Sequence, residues 1–313
     1  MMNTIAILGS GFGLYGYLPS MTIGCGQNVV LPERYRKRFK ERAELQICSQ
    51  HVQWVRDEMT ALQAATGAVI AVCPAEQCSW LDICIEQPQL QFLFLEKPVA
   101  PCPDAAYAIH DRLKQSGKVV RIAYLFRYLE WAKRLVEFVQ QYPCESVKIR
   151  WNFLAHHFRS NLQTWKREPE LGGGPVRFYG IHLIALLAEL GYENVSSFTE
   201  GYRWQGAFTG DNLPRCDVDV DTASDATQFS VTARTSVAEF DLCRQESPFD
   251  VCARNSDKSQ AISALDARVD LLSTHCQSAW NDPRPDFDFY KQTIDLWNKS
   301  EISELACSSP IAA

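Results

Sequence analysis

Twelve cysteines are spread through this 313-residue chain without forming a single Cys-x-x-Cys pair, and that absence excludes the usual zinc and dithiol frameworks. Most of the thiols stand in apolar company, as Cys73 does after Val69-Ile70-Ala71-Val72, where cysteine acts as a small hydrophobe. His156-His157 supplies no metal pair, because neighbours on a strand face opposite sides, so no metal site is expected. Basic runs are equally scarce. Arg34 to Arg38 is the one short stretch, and a formal net charge of −6 with a pI near 5.6 gives no electrostatic footprint for nucleic acid or an anionic membrane. No window approaches the ~18–20 uninterrupted apolar residues of a membrane span, and Met1-Met2-Asn3-Thr4 lacks the charged start of a signal peptide. A cytoplasmic protein is expected, with neither a nucleic-acid nor a membrane partner. Repeats and low-complexity linkers are missing too.

What is present is a chain with 46% hydrophobic residues, long enough for two domains. Its organising stretch is Phe92-Leu93-Phe94-Leu95-Glu96-Lys97-Pro98. Four apolar residues and a proline stop fit a short strand buried on both faces of a parallel sheet. Glu96 and Lys97 then fall at the carboxyl end of an interior strand, where open α/β sheets place their ligands. A cis Lys97-Pro98 bond would suit a tight turn there.

Upstream, Thr4 to Leu8 is an apolar strand running straight into Gly9-Ser10-Gly11-Phe12-Gly13-Leu14. Gly9 and Gly11 permit a tight turn and close approach to a pyrophosphate, whose charge suits the open N–H groups of a following helix. The turn departs from the standard fingerprint, with its third glycine at Gly13 and leucine at Leu14. Gln27 to Leu31 reads as a second strand, after which Glu33 could accept hydrogen bonds from an adenosine ribose and Arg34, with Arg36 and Lys37 nearby, could hold an extra phosphate. NAD and NADP both remain open, with NAD weakly favoured. Arg56 to Ala65 reads as a helix ended by Gly67, followed by the strand Ala68 to Val72, with Cys73-Pro74 at the ligand edge. A helix over Cys78 to Gln87, another from Pro103 to Gln115 stopped by Gly117, and a strand over Lys118 to Tyr124 complete a doubly wound parallel sheet, a dinucleotide-binding domain over 1–125.

Beyond it the pattern shifts. Trp131 to Gln140 is amphipathic, and Ser146 to Leu154, Val218 to Val220, Gln228 to Arg234 and Val237 to Leu242 read as strands of a mostly antiparallel open sheet. The expected second domain, 126–313, is therefore α+β, with a turn at 282–286 before a last helix, Phe287 to Trp297. Gly172-Gly173-Gly174 precedes a helix-like run, Pro175 to Leu190, that contains His182, with Phe178 and Ala185 on the same helical face.

The glycine turn, the Glu96-Lys97-Pro98 strand end, and Gly172-Gly173-Gly174 followed by Gly180-Ile181-His182 together resemble the Gfo/Idh/MocA family of nicotinamide-dependent oxidoreductases, over nearly the whole chain. That resemblance implies a Rossmann domain joined to an open-sheet α+β domain, and a sugar-like small-molecule substrate, in some relatives nucleotide-linked. It implies that Lys97 lies near substrate and nicotinamide and that His182 matches the family's catalytic histidine. It places Tyr124 and Arg127 beside the substrate, with Trp165 and Arg177 as further contacts, and suggests a homodimer or homotetramer through the second sheet. The expected chemistry is hydride transfer at a secondary alcohol or ketone carbon, His182 moving the hydroxyl proton and Lys97 stabilising the oxygen's developing charge. One departure stands out: Phe178 and Ala185 occupy places where the family often has aspartate. That departure leaves open a dinucleotide-binding sensor or partner subunit that has lost catalysis, or a reductase of an imine or another non-sugar carbonyl.

Overall fold

The computed structural model describes residues 3–249, 265–284 and 286–302. The chain forms two compact units: Met1–Ala100 with Ala108–Tyr128 and Val251–Phe287, and Pro101–Tyr107 with Leu129–Asp250 and Asp288–Ala313.

In the first unit, short runs of aliphatic residues become strands that carry almost no exposed side chain: β1 (Thr4–Leu8), β2 (Asn28–Pro32), β3 (Val52–Val55), β4 (Gly67–Ile70), β5 (Phe92–Leu95) and β6 (Val119–Ile122). Every pairing is parallel and the order is β3-β2-β1-β4-β5-β6, so the order reverses between β1 and β4. This is the expected doubly wound sheet. β3 was not expected, because Val52-Gln53-Trp54-Val55 is polar at its second position and half-exposed. Gly67 has a different role from the expected helix stop. It is the first residue of β4, and a side chain there would meet Ile5 Cδ1 at 2.9 Å, so close strand packing requires glycine. The helix before it is shorter than expected, Glu58–Gln63, and starts where Asp57 accepts a hydrogen bond from the Thr60 amide at 2.8 Å. Pro103–Ser116 is helical as expected, and Gly117 follows it with a φ of +68°.

The second unit is built on β7 (Cys144–Leu154), β8 (Asn194–Glu200), β9 (Arg203–Thr209), β10 (Arg215–Asp221), β11 (Ala223–Thr235) and β12 (Glu239–Gln245), in the order β12-β11-β7-β10-β9-β8. The β7–β10 pair is parallel and the rest are antiparallel. Val147, Ile149 and Trp151 of β7 and Cys216, Val218 and Val220 of β10 alternate into the core, while Lys148, Arg150, Asp217 and Asp219 line a polar concave face of the sheet. β8 and β9 escaped the reading of the sequence because Asn194-Val195-Ser196-Ser197 is largely polar and Gly206 interrupts the other strand. The last helix is longer than expected, Phe287–Ile302; in the turn ahead of it, Pro285 lies outside the described residues. Pro169–Glu189 is long and apolar enough to pass for a membrane span, but 72% of its apolar window is buried in the protein, as in a core helix.

Candidate functional site

In the first unit the glycine turn follows β1 at the point where the strand order reverses. Gly9 has a φ of +121°, and a side chain there would run into the backbone carbonyl of Ala71, just past β4. Only glycine is tolerated at that approach. The amide of Gly9 donates to the hydroxyl of Tyr35 at 3.0 Å, which braces the turn from the end of β2. A side chain at Gly13 would meet Ile7 Cγ2 at 2.9 Å, so Gly13 keeps the helix close to its strand. A methyl group at Gly11 would meet nothing within 4 Å, so that residue faces open space. Residues 12–24 then wind as a helix with two wide stretches of i→i+5 bonding, Gly13–Tyr17 and Ser20–Gly24. Phe12 lies on that helix's first turn with the Arg268 guanidinium 4.2 Å above its ring, and Leu14 is buried beneath.

The strand end that carries Lys97 is held from the side. Gln77, fully buried on the helix Pro74–Ile85, donates from Nε2 to the carbonyls of Glu96 at 2.9 Å, Val99 at 3.1 Å and Pro98 at 3.2 Å, and its Oε1 accepts from the Glu96 amide at 3.2 Å. The Lys97-Pro98 bond is cis, as expected. Glu96 Oε1 is buried although part of the residue is exposed, and burial raises this carboxyl's pKa against the pull of the Lys97 and Arg268 cations. Tyr17 links the glycine-turn helix to this strand end, its hydroxyl lying 3.5 Å from the Leu95 carbonyl and beside Glu96, and burial pushes that phenol well above its ordinary value. Cys73 sits at the start of the helix Pro74–Ile85, its Sγ 3.9 Å from Glu76 Oε2, and Pro74 occupies the first helical turn.

Glu33 and Arg34 follow β2 as expected, but each already has a partner. Arg36 donates twice to Glu33, at 2.6 and 2.7 Å, and Arg34 pairs with Glu58. Tyr124, just after β6, is buried; Arg127 pairs with Asp286 at 2.9 Å in a pocket shared with Arg121 and Tyr128.

In the second unit the helical run begins with a wide i→i+5 stretch, Pro175–Gly180, and becomes α-helical over Ile181–Glu189. Phe178 lies in the wide stretch and His182 in the α-helix that follows it. Phe178 packs edge-on to Trp165 at 5.2 Å beneath the Lys166 ammonium, whereas His182 is buried at 4% exposure edge-on to Phe249 at 5.9 Å. Ala185 is fully enclosed one turn along. Gly173 has an internal reason to be glycine, since a side chain there would strike the carbonyls of Trp165 and Lys166. Arg177 forks onto Glu301 at 2.6 and 2.7 Å and also donates to the carbonyls of Pro101 at 2.9 Å and Pro169 at 2.6 Å.

Sequence reasoning missed Gln77, Tyr17 and Arg268, for which the sequence carries no local signal. It also passed over Arg38, although Arg38 stands four residues from Arg34, a spacing that puts both on one face of a helix.

No protein-family model matches the sequence, and no curated protein matches it. Solved structures do. GenD2 from gentamicin A biosynthesis, in complex with NAD, is 15% identical, covers 97% of this chain and 94% of its own, and gives a TM-score of 0.71. The WlbA dehydrogenase from Bordetella pertussis, in complex with NADH and UDP-GlcNAcA, is 13% identical with 97% of each chain covered and a TM-score of 0.74. A myo-inositol dehydrogenase from Corynebacterium glutamicum is 14% identical, covers 97% and 96%, and gives 0.66. At these identities the likeness is one of fold, and it extends over both units of the chain.

Proposed function

We propose that the chain is an NAD(P)-dependent oxidoreductase of the Gfo/Idh/MocA type, acting on a secondary alcohol or ketone carbon of a sugar or sugar derivative. One observation carries the reading: a glycine turn that admits no side chain at Gly9 and opens to space at Gly11 stands where the sheet order reverses, the place where doubly wound sheets bind dinucleotides. These residues fit the cofactor. Gly9, Gly11, Phe12, Gly13 and Leu14 would cradle its pyrophosphate, and Cys73, Pro74, Glu96 and Lys97 would face its nicotinamide end. The bound nicotinamide supplies or accepts the hydride.

The chain's own part is binding, orientation and proton movement. Lys97, on a turn fixed by Gln77, offers an ammonium that stabilises negative charge developing on the substrate oxygen. His182 is assigned the hydroxyl proton, taken in oxidation and returned in reduction. Tyr124 is assigned to the substrate. Trp165 is packed on Phe178, and Arg127 and Arg177 already hold carboxylates, so a substrate anion would reach those arginines by displacing Asp286 or Glu301. The similarity to folds solved with a sugar nucleotide, or named for an inositol, favours a polyhydroxylated substrate. Self-association through the open polar face of β7–β10 completes the reading, and light scattering that finds only monomer removes it.

The deciding experiment pairs dinucleotide titration with turnover on a panel of inositols, sugars and nucleotide sugars. Lys97→Ala and His182→Ala should each lower turnover by about 10²- to 10⁴-fold while dinucleotide affinity holds. Full activity in both variants refutes the assignment. A second reading, a binder without turnover, is favoured by the apolar Phe178 and Ala185. Tight dinucleotide binding with no oxidation or reduction of any panel member would select it.

A further inference from the structure

NAD and NADP differ at one place, the 2′-oxygen of the adenosine ribose, which is a neutral hydroxyl in the first and carries a phosphate with nearly two negative charges in the second. Proteins with this sheet tell them apart just past the second strand, where a carboxylate suits the hydroxyl and an arginine suits the phosphate.

In this chain the carboxylate is engaged and an arginine is available. Glu33 is gripped by Arg36 through two hydrogen bonds, and Arg34, the basic residue nearest the strand, is taken by Glu58. Arg38 is placed differently. Its Nη1 donates to Ser10 Oγ of the glycine turn at 2.9 Å, and among the described residues it has no carboxylate partner. Around that bond lies an open pocket of about 520 Å³ whose lining joins Ser10, Gly11, Tyr15 and Arg38 to Arg42 and two carboxylates, Glu41 and Glu44. Arg42 lies 4.8 Å over the Tyr15 ring and pairs with Glu44 at 2.9 Å, so its charge is already matched. Arg38 thus stands as the pocket's uncommitted guanidinium, tethered to the turn by a serine hydroxyl that can itself donate to a phosphate oxygen. A planar guanidinium binds a phosphate through paired, charge-assisted bonds and gains nothing comparable from a hydroxyl.

We infer that this pocket is a 2′-phosphate subsite, formed by Arg38 and Ser10, and that the chain takes NADP(H) in preference to NAD(H). The inference rests on the dinucleotide-binding reading above. Lys37 and Arg36 contribute only background field; the selectivity resides in Arg38.

The test is equilibrium binding, which needs no substrate. NADPH and NADH are titrated by nicotinamide fluorescence, and 2′,5′-ADP and 5′-ADP by calorimetry, against the intact chain and an Arg38→Ala variant. Charge-assisted hydrogen bonds of this kind predict NADPH tighter than NADH by about tenfold or more, and 2′,5′-ADP tighter than 5′-ADP by a similar factor. Arg38→Ala should cost about ten- to a hundredfold in NADPH affinity, leave NADH unchanged, and leave the melting temperature unchanged because Arg38 is exposed. Arg38→Lys should restore part of the NADPH affinity through its point charge. NADH binding as tightly as NADPH, or a loss in Arg38→Ala that is equal for both, overturns the subsite while leaving the dinucleotide reading intact. Failure of both dinucleotides to bind overturns the two together.

Discussion

Replacing Gln77 with leucine keeps the side chain's approximate volume and removes its polar end, so the substitution isolates the hydrogen bonds that hold the Lys97 turn. Gln77 has two N–H donors and a carbonyl, and it directs them at three carbonyls and one amide between Glu96 and Val99. With 0% of the residue exposed, water cannot replace those bonds. At about 0.5–1.5 kcal/mol net for each of roughly three bonds, plus the penalty for buried carbonyls left unsatisfied, Gln77→Leu should lower stability by about 2–4 kcal/mol. In a domain of this size that corresponds to a fall of roughly 4 to 16 °C in melting temperature, at about 2–4 °C per kcal/mol. The catalytic consequence is separable. Lys97 lies inside the clamped segment, so kcat should drop while affinity for 2′,5′-ADP, which occupies only the distant end of the cofactor site, stays as it was. Calorimetry and single-substrate kinetics read the two effects. A melting temperature unchanged within about 2 °C, or a loss of nucleotide affinity equal to the loss of kcat, would refute the clamp.

Gly9→Ala should abolish dinucleotide binding and destabilise the first unit by about 1–3 kcal/mol, because its φ of +121° and the Ala71 carbonyl leave no room for a methyl group; a variant that binds normally refutes the close approach. His275, wholly buried near Tyr128, has its pKa pushed down to about 3, first by burial and then by Arg121 and Arg127. The unfolded chain therefore binds a proton at this position from about pH 6.5 downward and the folded chain does not, so stability falls with acid at up to about 1.4 kcal/mol per pH unit until pH 3. His275→Gln should flatten that part of a urea-midpoint profile; an identical slope in the variant counts against it. Arg177→Ala leaves Glu301 with the Trp297 indole as its remaining hydrogen-bond donor among the described residues, and should cost about 2–3 kcal/mol of stability at an unchanged KM; a raised KM with normal stability would instead make Arg177 a substrate contact.

How much was legible follows from the range over which each feature is determined. The glycine turn and the Phe92–Pro98 stretch are local: hydrophobic runs ending at glycine, charge or proline mark buried parallel strands wherever they occur, and both elements formed as read. Edge and half-exposed strands such as β3, β8 and β9 draw their stability from neighbours distant in sequence, so their own composition is a weak guide. The partners of Phe178 and His182 could not be read, because Trp165 and Phe249 reach them from other parts of the chain. Side chains such as Gln77, Arg38 and Arg268 acquire meaning only when folding sets them against the turns they brace. Arg34 follows β2 as read, but Glu58, which engages it, lies 24 residues further along the chain and could not be paired with it from the sequence.

The parallel pairing of β7 with β10 imposes an order on how the second unit is assembled. Hairpins β8–β9 and β11–β12 close locally, each within a few residues. β7 must wait, because its parallel neighbour lies about 70 residues downstream and loops of that length close slowly. The intervening chain carries the His182 helix, so the sheet cannot knit its centre until that histidine has been carried past it. A nascent chain arrested before Arg215 would leave both hydrogen-bonding edges of β7 unpaired and its apolar face of Val147, Ile149 and Trp151 uncovered, a segment that needs protection during synthesis.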